Sequence, residues 1–365
     1  MHVLATGDAV ERRTFLKSAG AVFVASLTPS ASFALDKSDA VLASAYREAD
    51  GEFGVALVSE RGDILFQHKL PARGHDVVWH PDGATFVVFA RRPGTFAVII
   101  NQKNERSPAT ITSPLDRHFY GHGCFSSNGK LLYATENDFE NAKGKIGIYD
   151  TTNGFKRIGE FDAYGVGPHD IELTAGGNFL LVANGGIETH PDFARTKLNL
   201  PTMKPNLSII DLSDGSLHAQ FNLPEQLHKL SIRHLASSTK DTTWFACQNE
   251  GDLLDAKQLV GRLSLASGTL EWLELPDSIL AGLRGYVGSI AFCNDTGHIA
   301  ITSPRGGIAH VIDPATRNIV ETIRKPDVCG ATALEREFEF SSGEGFLAGR
   351  QYKVRWDNHL SVSNV

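Results

Sequence analysis

Cysteine is scarce in this chain, with four among 365 residues. That is too few for a disulfide scaffold, and no CxxC or CxxCH spacing is present, which removes a thioredoxin-type redox motif and a c-type haem attachment site. Cys124, Cys247 and Cys293 sit in apolar runs that read as strands, where a free thiol behaves as a small buried hydrophobe. Long hydrophobic runs are also missing. A transmembrane helix needs ~20 apolar residues, so none is expected in the mature protein. The formal net charge is −7 and no basic block occurs, which argues against nucleic acid as a partner. Enzyme signatures are equally thin: there is no GxSxG elbow, no HExxH, no P-loop and no dinucleotide fingerprint behind a strand. Asp138 and Glu140 offer a carboxylate pair, but two acids in one loop are common and specify no reaction.

What is present begins with Arg12-Arg13, inside Glu11-Arg12-Arg13-Thr14-Phe15-Leu16-Lys17. A twin arginine followed by this pattern matches the signal read by the Tat exporter, which moves proteins already folded. A short apolar run (residues 19–27) and a small-residue stretch ending at Ser32-Phe33-Ala34 complete a cleavable leader. The expectation is a Tat signal peptide over 1–34 and a soluble periplasmic protein from 35 onward.

The remaining chain repeats. A short extended run, a Gly/Asp/Asn turn and a strongly apolar run recur. One copy is Asp76-Val77-Val78-Trp79-His80-Pro81-Asp82-Gly83 before residues 85–89, and another is Gly123-Cys124-Phe125-Ser126-Ser127-Asn128-Gly129 before residues 131–134. Further copies start near residues 170, 235, 289 and 332. His75, His122 and His169 are spaced at 47-residue intervals. Each unit reads as a hairpin, since Asp-Gly and Asn-Gly supply the positive φ that tight turns need. Third strands ending in Asp150, Asp211 and Asp313 follow. Four short strands per 40–50 residues, with almost no helical periodicity, predict an all-β chain: a β-propeller of four-stranded antiparallel blades. Six first strands lie within the chain. Strands over residues 40–70, joined by the C-terminal run from Trp356 to Val362, supply one more. The expectation is therefore a single domain over 35–365, a seven-bladed propeller whose ring closes through N- and C-terminal strands sharing one blade, which removes free sheet edges.

In such a ring the residues entering the innermost strands gather on one face. Histidine stands there repeatedly: His75, His122, His169, His234 and, by the closure argument, His359. One reading is structural, because WD-type propellers carry a Gly-His dipeptide whose imidazole ties neighbouring strands, and Gly74-His75 and Gly121-His122 fit it. Trp is absent before the third-strand aspartates, so the full relay is not written here. A second reading is a ring of metal ligands, since neutral imidazole suits Fe, Cu and Zn. An organic ligand or a docking protein on the same face is a third. The loop over residues 184–206 adds Glu188, His190 and Asp192 at alternate positions, which converge if the segment is extended, and then Arg195. Glu136 and Asp138 from another loop and Arg305 from a third extend the candidate ligand-binding set.

Several segments together resemble a family of Tat-exported bacterial propellers of unknown function, related to the WD-like and YVTN-like propellers. They are His122-Gly123-Cys124-Phe125-Ser126, Thr135-Glu136-Asn137-Asp138, Gly167-Pro168-His169-Asp170, the run from Ala183 to Asp192, Ser303-Pro304-Arg305-Gly306-Gly307 and Trp356-Asp357-Asn358-His359. The resemblance implies a genomic neighbourhood of imelysin-like, iron-uptake proteins, and it brings no catalytic residues with it. The expected function is a periplasmic binding or accessory protein in metal (iron) acquisition, holding a metal ion, a metal complex or a periplasmic protein partner on that face. Two alternatives stand beside it: a metal-dependent hydrolase or oxidoreductase using the same histidines, and a pure interaction scaffold.

Overall fold

Asp-Gly and Asn-Gly turns close antiparallel hairpins. Strands β4 (Gly74–Trp79) and β5 (Thr85–Ala90) join through Gly83 at φ 64°, and β8 (Arg117–Phe125) and β9 (Leu131–Asp138) through Gly129 at φ 69°. A side chain at either position would be strained in this left-handed region. The computed structural model describes residues 38–102, 108–238, 241–253 and 257–363. The leader expected over 1–34 lies outside these residues.

Four sheets follow one plan, in which the chain runs outward strand by strand. They are β4-β5-β6-β7, with β6 at Phe96–Asn101 and β7 at Ala109–Thr112; β8 to β11, with β10 at Lys143–Asp150 and β11 at Lys156–Asp162; β12 to β15 (Pro168–Leu173, Phe179–Asn184, Asn206–Asp211, Leu217–Asn222); and β16 to β19 (Leu230–Ser237, Thr242–Asn249, Val260–Ser264, Thr269–Trp272). A fifth copy comprises β20 to β23 (Ser289–Phe292, Ile299–Ser303, Ile308–Asp313, Asn318–Arg324). The sixth sheet joins the chain ends. There β1 (Val41–Glu48) pairs on one side with β2 (Phe53–Ser59), which carries β3 (Ile64–Leu70), and on the other with β28 (Val354–Trp356) and β29 (Ser361–Ser363).

The burial pattern explains why the second strands read as continuous apolar runs. All of β5 and β21 is buried, because each lies in mid-sheet between two neighbouring blades. The outermost strands β11 and β15 alternate instead between exposed and partly covered positions, as an edge with one wet face requires. Phe86, Phe89, Phe119 and Phe245 are fully buried between blades.

The blade count differs from expectation. The ring has six blades, not seven. The copy expected near Thr332 forms only a two-stranded hairpin, β24 (Val328–Leu334) with β25 (Glu337–Ser342), and the next residues form a separate ribbon, β26 (Phe346–Leu347) with β27 (Arg350–Gln351). The physical reason lies in the turns. Gly345 (φ 91°), Ala348 (φ 48°) and Gly349 (φ 70°) all adopt positive φ, so no strand longer than two residues forms where a third blade strand was expected. Dividing the chain by a 47-residue period overlooks a segment that spends its length on turns. Among the described residues, no helix is long and apolar enough to cross a membrane.

Candidate metal centre

The innermost strands β4, β8, β12 and β16 each contain a register shift, which falls on a histidine in β4, β8 and β12 and directly before one in β16. The irregularities lie between Gly74 and Val77, Phe119 and Gly123, Pro168 and Asp170, and Ile232 and His234. A bulge turns a side chain out of the regular pleat. Here it releases His75, His122 and His169 from strand alternation, while in β16 the extra residue is Arg233 and His234 after it stays in register with Ala246. His359 joins them from the segment between β28 and β29. Gly121, at φ 109°, makes room: a Cβ there would stand 2.6 Å from Cδ2 of His75.

All five rings form one cluster. Centroid separations are 4.3 Å for His75–His359, 4.5 Å for His122–His359, 4.8 Å for His122–His169, 4.8 Å for His169–His234, and 5.0 Å for both His75–His122 and His234–His359. Two triads, His75/His122/His359 and His122/His169/His234, present ring nitrogens within 4.8 Å of one another. Four nitrogens about 2.1 Å from a tetrahedral ion stand roughly 3.4 Å apart. Closing the cluster on an ion therefore requires side-chain movements of about an ångström.

Carboxylates set the ring orientations. His75 Nδ1 is 2.9 Å from Asp357 Oδ1. His122 Nδ1 lies 3.3 Å from Asp170 and 3.5 Å from Asp76. Holding Nδ1 in this way leaves Nε2 to face the cluster, which is the arrangement by which second partners orient metal-ligating histidines. His122 Nε2, His169 Nδ1 and His359 Nε2 are buried and have no hydrogen-bond partner. Buried polar atoms are rarely left this way, and three such atoms in one cluster leave ring nitrogens that could hold a metal ion.

The protonation states are divided. Burial opposes charge on His122, but Asp170 and Asp76 outweigh it and push its pKa up to about 9. Burial, then His359, holds His75 well below the ordinary range; burial and Arg233 do the same for His169, and burial and His359 for His234. His359 falls to about 4 through burial and the neighbouring His122. Near neutral pH the cluster thus holds four neutral imidazoles around one imidazolium.

Beside the histidines opens a cavity of about 360 Å³, bordered by His75, His169 and His234. Its remaining wall is basic: Arg91, Arg92, Arg195, Lys197, Arg233 and Arg305, with Tyr120 and Tyr286 between them. Some of this charge is matched. Asp357, 4% exposed, accepts from Arg73 at 2.6 Å and Arg91 at 2.8 Å, while Glu250 pairs with Lys197 and stands 3.6 Å from Arg233. Among the described residues no carboxylate lies within ion-pair distance of Arg92, Arg195 or Arg305.

The sequence-derived residues divide accordingly. His75, His122, His169, His234 and His359 come together. Arg195 and Arg305 reach the cavity rim. Glu188, His190 and Asp192 do not converge: His190 Nδ1 accepts from the Asp192 backbone at 3.2 Å, its Nε2 faces Glu140 at 3.5 Å, and Asp192 projects into solvent. Glu136 is fully buried within its blade, bonded to Tyr149 Oη at 2.7 Å and to Arg157 Nη2 at 2.8 Å. Asp138 is buried against Arg117 at 3.2 Å. Both acids belong to blade architecture. Sequence reasoning passed over Asp76, Asp170, Asp357 and Arg233 as individuals. The signal was there in the His-Asp dipeptides at 75–76 and 169–170 and in Arg233 directly before His234.

A ring of antiparallel blades around a histidine-lined centre defines the class: this is a β-propeller. The chain belongs to the family described as "Protein of unknown function (DUF1513)", whose model matches residues 68–363. Among solved structures it is similar to Kuenenia stuttgartiensis hydrazine synthase, with a TM-score of 0.60 and 13% identity over 87% of this chain and 93% of that one. It is also similar to the Cps50 (Swd1) β-propeller domain of Myceliophteria thermophila, with a TM-score of 0.59 and 12% identity over 82% and 92% of the two chains. At such identities the likeness concerns the fold alone. None of the curated proteins matches the chain.

Proposed function

We propose that this protein binds a transition-metal ion (Fe, Cu or Zn) through the imidazoles of His75, His122, His169, His234 and His359. We further propose that it does so in the periplasm after Tat export, as a binding or accessory component of metal acquisition, with iron the leading candidate. The observation that carries the reading is the convergence of five imidazoles with three buried, unpartnered ring nitrogens. Neutral imidazole is a ligand such ions accept; Asp357 would hold His75 in a ligating tautomer, and an ion bound by His122 would displace the proton that Asp170 and Asp76 favour there. The Arg12-Arg13 leader supports the location, since folded export lets a metal be loaded before transport.

The test is thermal unfolding of metal-free protein titrated with Fe(II), Cu(II) and Zn(II), beside a His122→Ala/His169→Ala variant. At a hundredfold excess over Kd, a bound ion adds about 2.7 kcal/mol of stability. The reading expects this rise for at least one ion in the natural chain and none in the variant. Unchanged melting with all three ions would overturn it. The scaffold reading is favoured by the His75–Asp357 and His122–Asp170 contacts, which link neighbouring strands. It predicts that the variant melts far lower whether or not metal is present.

A further inference from the structure

The basic cavity carries a second inference, independent of any metal. Six cationic side chains line one space of about 360 Å³, and among the described residues two carboxylates, Asp357 and Glu250, are engaged with some of them. Like charges brought this close cost free energy unless a counter-charge is present. The effect is visible in the side chains themselves: burial, then Arg233, lowers the pKa of Arg92 to about 10, and burial, then Arg91, lowers that of Arg195. Arg233 is nine-tenths buried and borders the cavity, and its Nε has no partner. Arg91 Nε is also unpartnered. Arg305 lies over the Tyr286 ring at 5.0 Å, which holds its guanidinium at the rim rather than free in solvent.

We infer that this cavity binds a compact multivalent oxyanion, a polycarboxylate or a phosphate, with Arg92, Arg195, Arg233 and Arg305 as its anchors. Guanidinium groups present paired N–H donors that match carboxylate and phosphate oxygens. A single carboxylate would leave most of the cations unanswered, so the site favours two or more negative charges in one molecule. The volume sits at the lower end of small-molecule sites, which suits a compact ligand and excludes a long chain. The loop over residues 184–206 contributes Arg195 and Lys197 to the wall, and this accounts for a connection of that length over the channel mouth.

The experiment is calorimetric titration of metal-free full-length mature chain with citrate, pyrophosphate, inorganic phosphate, acetate and chloride in separate runs. Citrate or pyrophosphate should bind with saturable heat at least tenfold tighter than acetate, and chloride should not bind. The carboxylate and phosphate arms distinguish the two sources of the shared chemistry. Arg195→Ala and Arg305→Ala, both at exposed positions that leave the core untouched, should each weaken binding roughly tenfold or more. Arg61→Ala, a surface cation away from the cavity, should change nothing. Absence of binding by every multivalent anion at 10 mM (a chosen ceiling, on the order of the weakest useful affinity) overturns the inference. So does unchanged affinity in both cavity variants. Failure of metal binding in the preceding test would leave this result standing, because no ion is present here.

Discussion

The five-histidine cluster predicts an asymmetric pH profile for the stability of the metal-free protein. The perturbation is pH alone. An unfolded histidine titrates near 6.5. His122 is raised to about 9 in the folded chain, so between these values the folded state keeps a proton the unfolded state has lost, and stability falls as pH rises. The interval from 6.5 to about 9 corresponds to roughly 3 kcal/mol. The other four rings act in the opposite direction. His359 is lowered to about 4, and His75, His169 and His234 lie well below the ordinary value. Their unfolded forms take up protons below 6.5 that the folded cluster refuses, so stability falls with acidification. His359 alone accounts for about 3 kcal/mol by pH 4. His75, His169 and His234 add to this in the same direction, so stability is expected to drop steeply as pH falls toward 4. The assay is urea denaturation of metal-free protein in half-unit steps from pH 4.5 to 9.5. Stability should peak near pH 6.5, fall steeply on the acid side and gently on the alkaline side. In Asp76→Asn/Asp170→Asn the alkaline slope should flatten, because the groups that raise His122 are gone. A flat profile between 6.5 and 9, or a slope unchanged in that variant, would refute the reasoning.

Other consequences are equally checkable. Glu136→Ala leaves Arg157 and the Tyr149 hydroxyl without their buried carboxylate, and should cost about 3–5 kcal/mol in denaturant unfolding while metal stoichiometry stays unchanged. Gly121→Ala forces a side chain onto His75 at φ 109°; it should lower stability by about 1–3 kcal/mol and weaken metal binding together with it. Cys124, Cys247, Cys293 and Cys329 are all free, and three of them are fully buried. Burial raises the thiols of Cys124 and Cys247 and pushes Cys329 up to about 12, so a thiol-reactive dye should label the folded protein slowly and find four thiols after denaturation.

Much of this architecture was legible because two periodicities coincide. The hairpin signal at Asp82-Gly83 and Asn128-Gly129 marks strand pairs, and the 47-residue spacing of His75, His122 and His169 marks equivalent places in successive blades. That equivalence is what brought the five histidines together on paper. The blade count was misjudged because a repeat length says nothing about turns: within residues 343–349, positive φ at Gly345, Ala348 and Gly349 leaves a strand of only two residues, Phe346–Leu347. The loop acids were misread for a related reason. Alternate spacing at Glu188, His190 and Asp192 implies one face only if the backbone is extended, and a 3-10 turn at Pro191–Phe193 breaks it. Glu136 and Asp138 were placed on the face as loop residues, yet both lie within β9, where their partners Arg157 and Arg117 draw them into the blade. The basic cavity was hardest to foresee, since its arginines (Arg91 and Arg92, Arg195, Arg233, Arg305) come from four separate segments that only ring closure assembles.

The central claim is that the histidine cluster is a metal centre, and metal content tests it most directly. Mature protein exported through the Tat pathway, then purified without a His tag or chelator, should carry close to one transition-metal ion per chain by elemental mass spectrometry. X-ray absorption at that metal's edge should show nitrogen neighbours about 2.0–2.1 Å away, and both signals should vanish in His122→Ala/His169→Ala. Protein that arrives folded with no stoichiometric metal, and takes up none when Fe, Cu or Zn is supplied, would contradict the account.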